Sequence, residues 1–226
     1  IRNFFYNRGI LDSVSFSIPV ISVGNLSVGG TGKTPHVEYL IRLLQYQYKV
    51  ATMSRGYKRA TRGFILANEK STFRTIGDEP MQFYSKFPDA YVSVAEDRMI
   101  GIPSLLQAAT DTDIIILDDA FQHRSVKPGL NILIMDVQRP FYKDFVLPYG
   151  RLRENRGAYK RADVIIVSKC NPAITSEQAQ EIIAEIKPFA HHHVYFTALY
   201  YQIPYHITSG ATLSLADKNV LLVCCI

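Results

Sequence analysis

A chain of 226 residues, 47% of them hydrophobic, holds enough apolar material for one large or two small domains with real cores, and this excludes the disordered class. Its 25 lysines and arginines exceed its 20 acids by a modest margin, which is compatible with a phosphate-bearing substrate, an anionic membrane face, or neither. No compact basic run points to nucleic acid, and no apolar stretch reaches the roughly 20 residues of a spanning helix. The three cysteines, Cys170, Cys224 and Cys225, have neither disulfide nor zinc spacing, so a reduced, cytoplasmic setting is expected.

The chain opens without a methionine. Its first residues, Arg2-Asn3-Phe4-Phe5-Tyr6-Asn7-Arg8, mix aromatics with arginines as membrane-interfacial segments do, although a plain surface helix would read the same. Ile18 to Thr34 then reads IPVISVGNLSVGGTGKT: an apolar run, glycines, and a lysine and threonine where a helix should begin. Backbone N–H groups converge on a phosphate only where small residues let the chain turn tightly, and Gly29, Gly30 and Gly32 provide this. The helix that follows adds its positive end, Lys33 would reach the β- and γ-phosphates, and the Thr34 hydroxyl would complete Mg²⁺ coordination. In the eight-residue pattern Ser27-Val28-Gly29-Gly30-Thr31-Gly32-Lys33-Thr34, Ser27 replaces the usual first glycine; it is small, and its hydroxyl can donate. The segment predicts nucleotide binding.

Apolar, β-branched runs recur at Pro19–Val23, Val50–Met53, Tyr91–Ala95, Asp113–Leu117, Asn131–Met135, Asp163–Val167 and Val220–Val223. Helix-period segments lie between several of them, at His36–Tyr46, Met81–Lys86, Arg98–Ala109 and Ser176–Ile186. This alternation predicts an α/β fold, a P-loop NTPase-like three-layer sandwich with a mainly parallel sheet, whose ligands collect at the carboxyl ends of the strands. The Arg/Gly-rich stretch Pro148–Gly157 divides a P-loop kinase domain over 1–146 from a second, smaller α/β lobe over 147–226. The last strand stops with nothing after it, so both ends are expected to be trimmed.

Several strands are followed by chemistry-bearing residues. Ser54-Arg55-Gly56-Tyr57-Lys58-Arg59 is either a solvated basic loop or a phosphate or sugar contact. Gly77-Asp78-Glu79-Pro80 places proline where a helix can open and Glu79 where it can cap. A kinase acting on an alcohol needs a carboxylate near the attacking hydroxyl, and Asp78 is the candidate base. Arg98 follows Glu96-Asp97 and is either a helix N-terminal surface charge or an active-site arginine, with the surface reading the default. Asp113-Ile114-Ile115-Ile116-Leu117-Asp118-Asp119 is an apolar strand ending in two acids, as a Mg²⁺-binding strand does, with one acid facing the metal and the other acting nearby or through water. Arg151 and Arg153, in Leu147–Glu154, could clamp phosphate. Val164–Lys169 looks like a base-specificity strand, but no Asn-Lys-x-Asp follows, so guanine selectivity is unsupported. His191-His192-His193 diverge along the chain without an acidic or cysteine partner at ligand spacing and are not read as a metal site.

Taken in order, Val23–Pro35, Ser54–Tyr57, Gly77–Pro80, Asp118–His123 and Leu147–Glu154 resemble the tetraacyldisaccharide 4'-kinases, which phosphorylate the lipid A precursor of Gram-negative bacteria. The resemblance implies transfer of the γ-phosphoryl of ATP, with Mg²⁺, to the 4'-hydroxyl of a tetraacylated, 1-phosphorylated glucosamine disaccharide, giving lipid IVA. It implies a peripheral or singly anchored protein on the cytoplasmic face of the inner membrane. It makes Asp78 the base alongside Lys33, gives Glu79, Asp118 and Asp119 to the metal with Thr34, and associates Arg55, Tyr57, Arg151 and Arg153 with nucleotide and substrate phosphates.

Ala120 stands where the family often has glycine, and Arg151 where proline is common. A later histidine-bearing block that supports the base has no counterpart before Ile226, so the expectation is a truncated form with impaired catalysis and an intact phosphate loop. The rival readings are a P-loop ATPase switch, a small-metabolite kinase or ligase of the same fold, and a non-enzymatic membrane scaffold. Dimeric switches carry a lysine at the position of Val28, and its absence counts against the switch; a monomer is expected, and a scaffold would leave Asp78, Glu79, Asp118 and Asp119 without a purpose.

Overall fold

The computed structural model describes residues 2–221 other than 202, 207 and 217. In chain order the regular elements are helix α1 (Arg2–Asn7), strand β1 (Val20–Gly24), α2 (Lys33–Leu44), β2 (Val50–Ser54), β3 (Ile65–Leu66), α3 (Phe73–Ile76) and α4 (Asp78–Lys86). There follow β4 (Tyr91–Val94), α5 (Arg98–Ala108), β5 (Ile114–Asp118), β6 (Leu130–Asp136), β7 (Val164–Ser168), α6 (Ser176–Ile186) and β8 (His193–Phe196), with short 3₁₀ turns at Phe141–Lys143 and Arg156–Arg161.

The strands form one sheet in the order β3-β4-β2-β5-β1-β6-β7-β8, parallel except for β3, which runs antiparallel to β4. Side chains alternate across it, which is why the strands read as continuous apolar runs. On one face Val23, Val50, Val92, Ile116, Ile132 and Ile134 pack with Val37 and Ile41 of α2 and Phe83 of α4. On the other, Val20, Met53, Ile115 and Leu117 meet Ile102 and Leu105 of α5, while Leu133, Met135, Ile165 and Val167 meet Ile186 of α6. The result is the three-layer α/β sandwich with a mainly parallel sheet.

Topology builds the site. β1 lies between β5 and β6, with Val23 in register with Asp118, so the loop leaving β1 emerges beside the acidic end of β5.

Several elements differ from the sequence reading. β3 and β8 were not expected: β3 has two residues, and β8, His193-Val194-Tyr195-Phe196, is a four-residue stretch behind two further histidines with exposed and half-buried positions alternating. The strand expected at Val220–Val223 is not formed at Val220 and Leu221, which are irregular and exposed, and its last two positions lie outside the described residues. β7 and β8, from the region assigned to a second lobe, extend the same sheet as β1 to β6.

Candidate active site

The phosphate-type loop has the expected backbone. Gly29 and Gly32 take positive φ values of 106° and 89°, and Gly32 is the N-cap of α2, with no side-chain cap bond. Glycine has no side chain to satisfy the first helical amides, so they remain available to an anion. The amides of Gly30, Gly32 and Lys33 have no backbone or side-chain acceptor among the described residues. Asn25, fully buried, donates through Nδ2 to Thr31 Oγ1 at 2.8 Å and fixes the loop from within. A cleft of about 1460 Å³ opens along the loop and α2, lined among others by Lys33, Thr34, Glu79, Lys169 and Thr197.

The second wall is the helix that opens the Gly77–Pro80 block. Asp78 is the first residue of α4 and Gly77 its N-cap, so Glu79 is inside the first turn and does not cap. The Thr34 hydroxyl donates to Glu79 Oε1 at 3.1 Å, which sets the two helix starts side by side; Asp78, the first residue of α4, is exposed. Gly56 and Gly77 make the approach possible. Both have positive φ, and a Cβ on Gly77 would lie 3.2 Å from the Gly56 Cα, so a larger residue would be strained and would force the Ser54–Tyr57 loop to give by a few tenths of an ångström.

The two acids after β5 have different surroundings. Asp118 is 2% exposed; its Oδ2 accepts from Ser54 Oγ at 3.3 Å, and its Oδ1 has no partner. Burial, reinforced by the charges of Glu79 and Asp119, pushes its pKa up to about 7. Asp119 turns off the strand with φ 49° and accepts two bonds from Arg153, at 2.7 and 3.0 Å, with Lys33 Nζ at 3.5 Å. Burial opposes its charge, but Arg153 and Lys33 outweigh it and hold the carboxyl below its usual range.

The donor set fits magnesium. The buried, unpartnered Oδ1 of Asp118, close enough to Glu79 and Asp119 to feel their charges, is an oxygen ligand of the kind magnesium takes. Among the described residues no three His, Cys, Asp or Glu side chains form a metal cage. Thr34 is bonded to Glu79, whose charge acts on Asp118, whereas Asp119 is committed to Arg153 and Lys33.

The arginine loop is stitched onto the phosphate-type loop as an edge: Val28 N donates to Arg151 O at 2.8 Å, Arg153 N to Leu26 O at 2.7 Å, and Ser27 bridges Leu152. Arg153 thereby reaches Asp119 and both oxygens of Asn25, while the Arg151 side chain is exposed. Arg55 is exposed beside Arg98 and His123, and Tyr57, 75% exposed, touches none of the site's acids.

Arg98 corrects the sequence reading. It is 0% exposed, donates to the carbonyls of Ala95 and Asp118, and has its pKa lowered to about 10 by burial. Beside it burial, with the charges of Arg98 and Arg55, lowers His123 to about 4 and keeps it neutral. Asn25, Gln122 and Ser168 also carry the site without having been singled out; Gln122 donates to Asn25 O at 2.9 Å and Ser168 Oγ to Thr31 O at 2.7 Å.

A glycine-rich loop between a central parallel strand and an uncapped helix, with a buried aspartate ending the adjacent strand, defines a P-loop α/β protein. Comparison with known proteins narrows the class. The sequence profile described as tetraacyldisaccharide-1-P 4'-kinase matches residues 1–226. The tetraacyldisaccharide 4'-kinase of Flavobacterium johnsoniae is 49% identical over 203 residues, covering 90% of this chain and 60% of the relative. That of Flavobacterium psychrophilum is 58% identical over 185 residues, 82% of this chain and 54% of the relative. The crystal structure of LpxK from Aquifex aeolicus in complex with ATP is 40% identical with a TM-score of 0.68, covering 74% of this chain and 53% of that one. The chain belongs to the tetraacyldisaccharide-1-P 4'-kinase family, and it spans between half and two thirds of the length of these relatives.

Proposed function

We propose that the protein transfers the γ-phosphoryl group of ATP to the 4'-hydroxyl of tetraacyldisaccharide 1-phosphate, forming lipid IVA. The observation that carries this reading is the contact of Thr34 with Glu79, which sets the phosphate-type loop against the helix start that carries the exposed carboxylate of Asp78. Family membership supplies the acceptor class.

In this reading the amides of Gly30, Gly32 and Lys33 and the start of α2 hold the β- and γ-phosphates. Lys33 exchanges its 3.5 Å contact with Asp119 for phosphate oxygens as charge develops there. Thr34 and Asp118, with Glu79 beside them, would hold Mg²⁺, which when bound with ATP neutralises charge on the transferring group. Asp119 and Arg153 keep the lysine aimed across the loop. Asp78 accepts the proton of the attacking hydroxyl, and Arg55, Tyr57 and Arg151 are left exposed to meet the substrate.

The membrane-proximal placement is supported by α1, which has no buried residue, exposes Phe4 and Phe5, and is tied to the site through Asn3 Nδ2 to Glu154 Oε2 at 2.6 Å. Among the described residues no helix is long and apolar enough to cross a membrane, so contact through this segment would be interfacial.

The test is incubation of the full-length protein with γ-labelled ATP, Mg²⁺ and the disaccharide 1-phosphate lipid, beside soluble sugar acceptors. Label in the lipid is expected; label only in soluble acceptors would favour a small-metabolite kinase instead.

A further inference from the structure

A loop that turns its amides toward a phosphate turns carbonyls outward, and those carbonyls need donors of their own. Here two consecutive residues supply them. Ser168, the last residue of β7, donates to Thr31 O, and Lys169 Nζ donates to Gly30 O at 2.5 Å. Lys169 also pairs at 2.7 Å with Asp136 Oδ2 at the end of β6, whose other oxygen accepts from Gln138 N at 2.9 Å. The lysine reaches the loop from two strands away because its backbone adopts φ 58°, which ends β7 and turns the chain.

We propose that Lys169 is a positioning residue for the phosphate-type loop, holding the Gly30 carbonyl outward so that the following amides converge before nucleotide arrives, with Asp136 as its fixed counter-charge. The inference rests on the nucleotide-binding reading above. It deepens that reading, because it places part of the triphosphate affinity outside the loop itself. A charge-assisted bond to a carbonyl is stronger than a neutral one, and Asp136, itself buried, fixes where the ammonium sits. Losing the lysine frees a glycine-rich loop to rotate its peptide planes, which costs affinity for anything bound by those amides.

Calorimetric titration with Mg·ATP and, separately, with inorganic triphosphate tests this on the wild type, Lys169→Met, Lys169→Arg and the double variant Lys169→Met/Asp136→Asn. Lys169→Met is expected to raise both dissociation constants by the same factor, about tenfold or more, with Lys169→Arg within about threefold of wild type and the double variant still weak. Lys169→Gln, which keeps a donor without charge, serves in its place if Lys169→Met lowers the melting temperature. An unchanged affinity overturns the proposal. So does a loss for ATP alone, which would put Lys169 against the base, and so does full recovery in the double variant, which would reduce its role to neutralising Asp136. A wild type that binds neither probe, indistinguishable from Lys33→Ala, refutes the nucleotide reading and the inference with it.

Discussion

Asp118→Asn should stabilise the metal-free protein, and increasingly so as the pH rises. The carboxyl titrates near 3.8 when unperturbed and is pushed up to about 7 in the fold. Between those values the native state keeps a proton that the unfolded chain has released, so stability falls as pH rises toward 7, and above it the whole cost of the buried charge is felt. A shift of that size corresponds to about 3 to 5 kcal/mol at about 1.36 kcal/mol per unit. The amide is isosteric, keeps an oxygen for the Ser54 hydroxyl, and turns a donor where Glu79 and Asp119 repel the carboxylate. For a chain of this length, at roughly 2–4 °C per kcal/mol, the variant should melt about 10 °C above wild type at pH 8.5 and within about 2 °C of it at pH 4. Circular dichroism melts in EDTA across that range measure the difference. Parallel Tm-against-pH curves would show that Asp118 ionises normally, and the assignment of the cation position to it would fall.

Other consequences follow from single side chains. Arg98→Met removes a fully buried cation from the carbonyls of Ala95 and Asp118 and should destabilise by about 3 kcal/mol, read as a lower urea midpoint at unchanged m-value. Gly77→Ala forces a Cβ at φ 94° against Gly56; a loss of about 2 kcal/mol is expected, with weaker substrate binding from the displaced Ser54–Tyr57 loop. Lys33→Ala should weaken Mg·ATP by about two orders of magnitude in calorimetry while leaving the melting temperature within a few degrees, since its contact with Asp119 is duplicated by Arg153.

The phosphate-type loop was readable because its geometry is local: glycines permit the turn, and the residues after them start the helix. The core strands were readable because burial on both faces leaves continuous apolar runs. Non-local relationships were not. Adjacent in sequence, Asp118 and Asp119 are separated in environment by the left-handed turn at Asp119 and by Arg153, which arrives from a distant loop. An arginine following an acidic N-cap reads as a surface charge, yet Arg98 points inward because the strand ends leave carbonyls there to be satisfied. Lys169 looked like the remnant of a base-reading motif, and only the order β1-β6-β7 reveals that it holds the loop. β8 lies at the sheet edge, where four residues with alternating exposure do not form the continuous buried run that marks the central strands.

Phosphoryl transfer by the full-length protein, wild type against Asp78→Asn, tests the central claim most directly. With the disaccharide 1-phosphate lipid and saturating Mg·ATP, the wild type should place label on the lipid. The variant should lose about 10²- to 10⁴-fold in kcat with its ATP affinity unchanged. An Asp78→Asn enzyme with wild-type kcat would contradict the claim that the fold sets α4 against the phosphate-type loop in order to present a base.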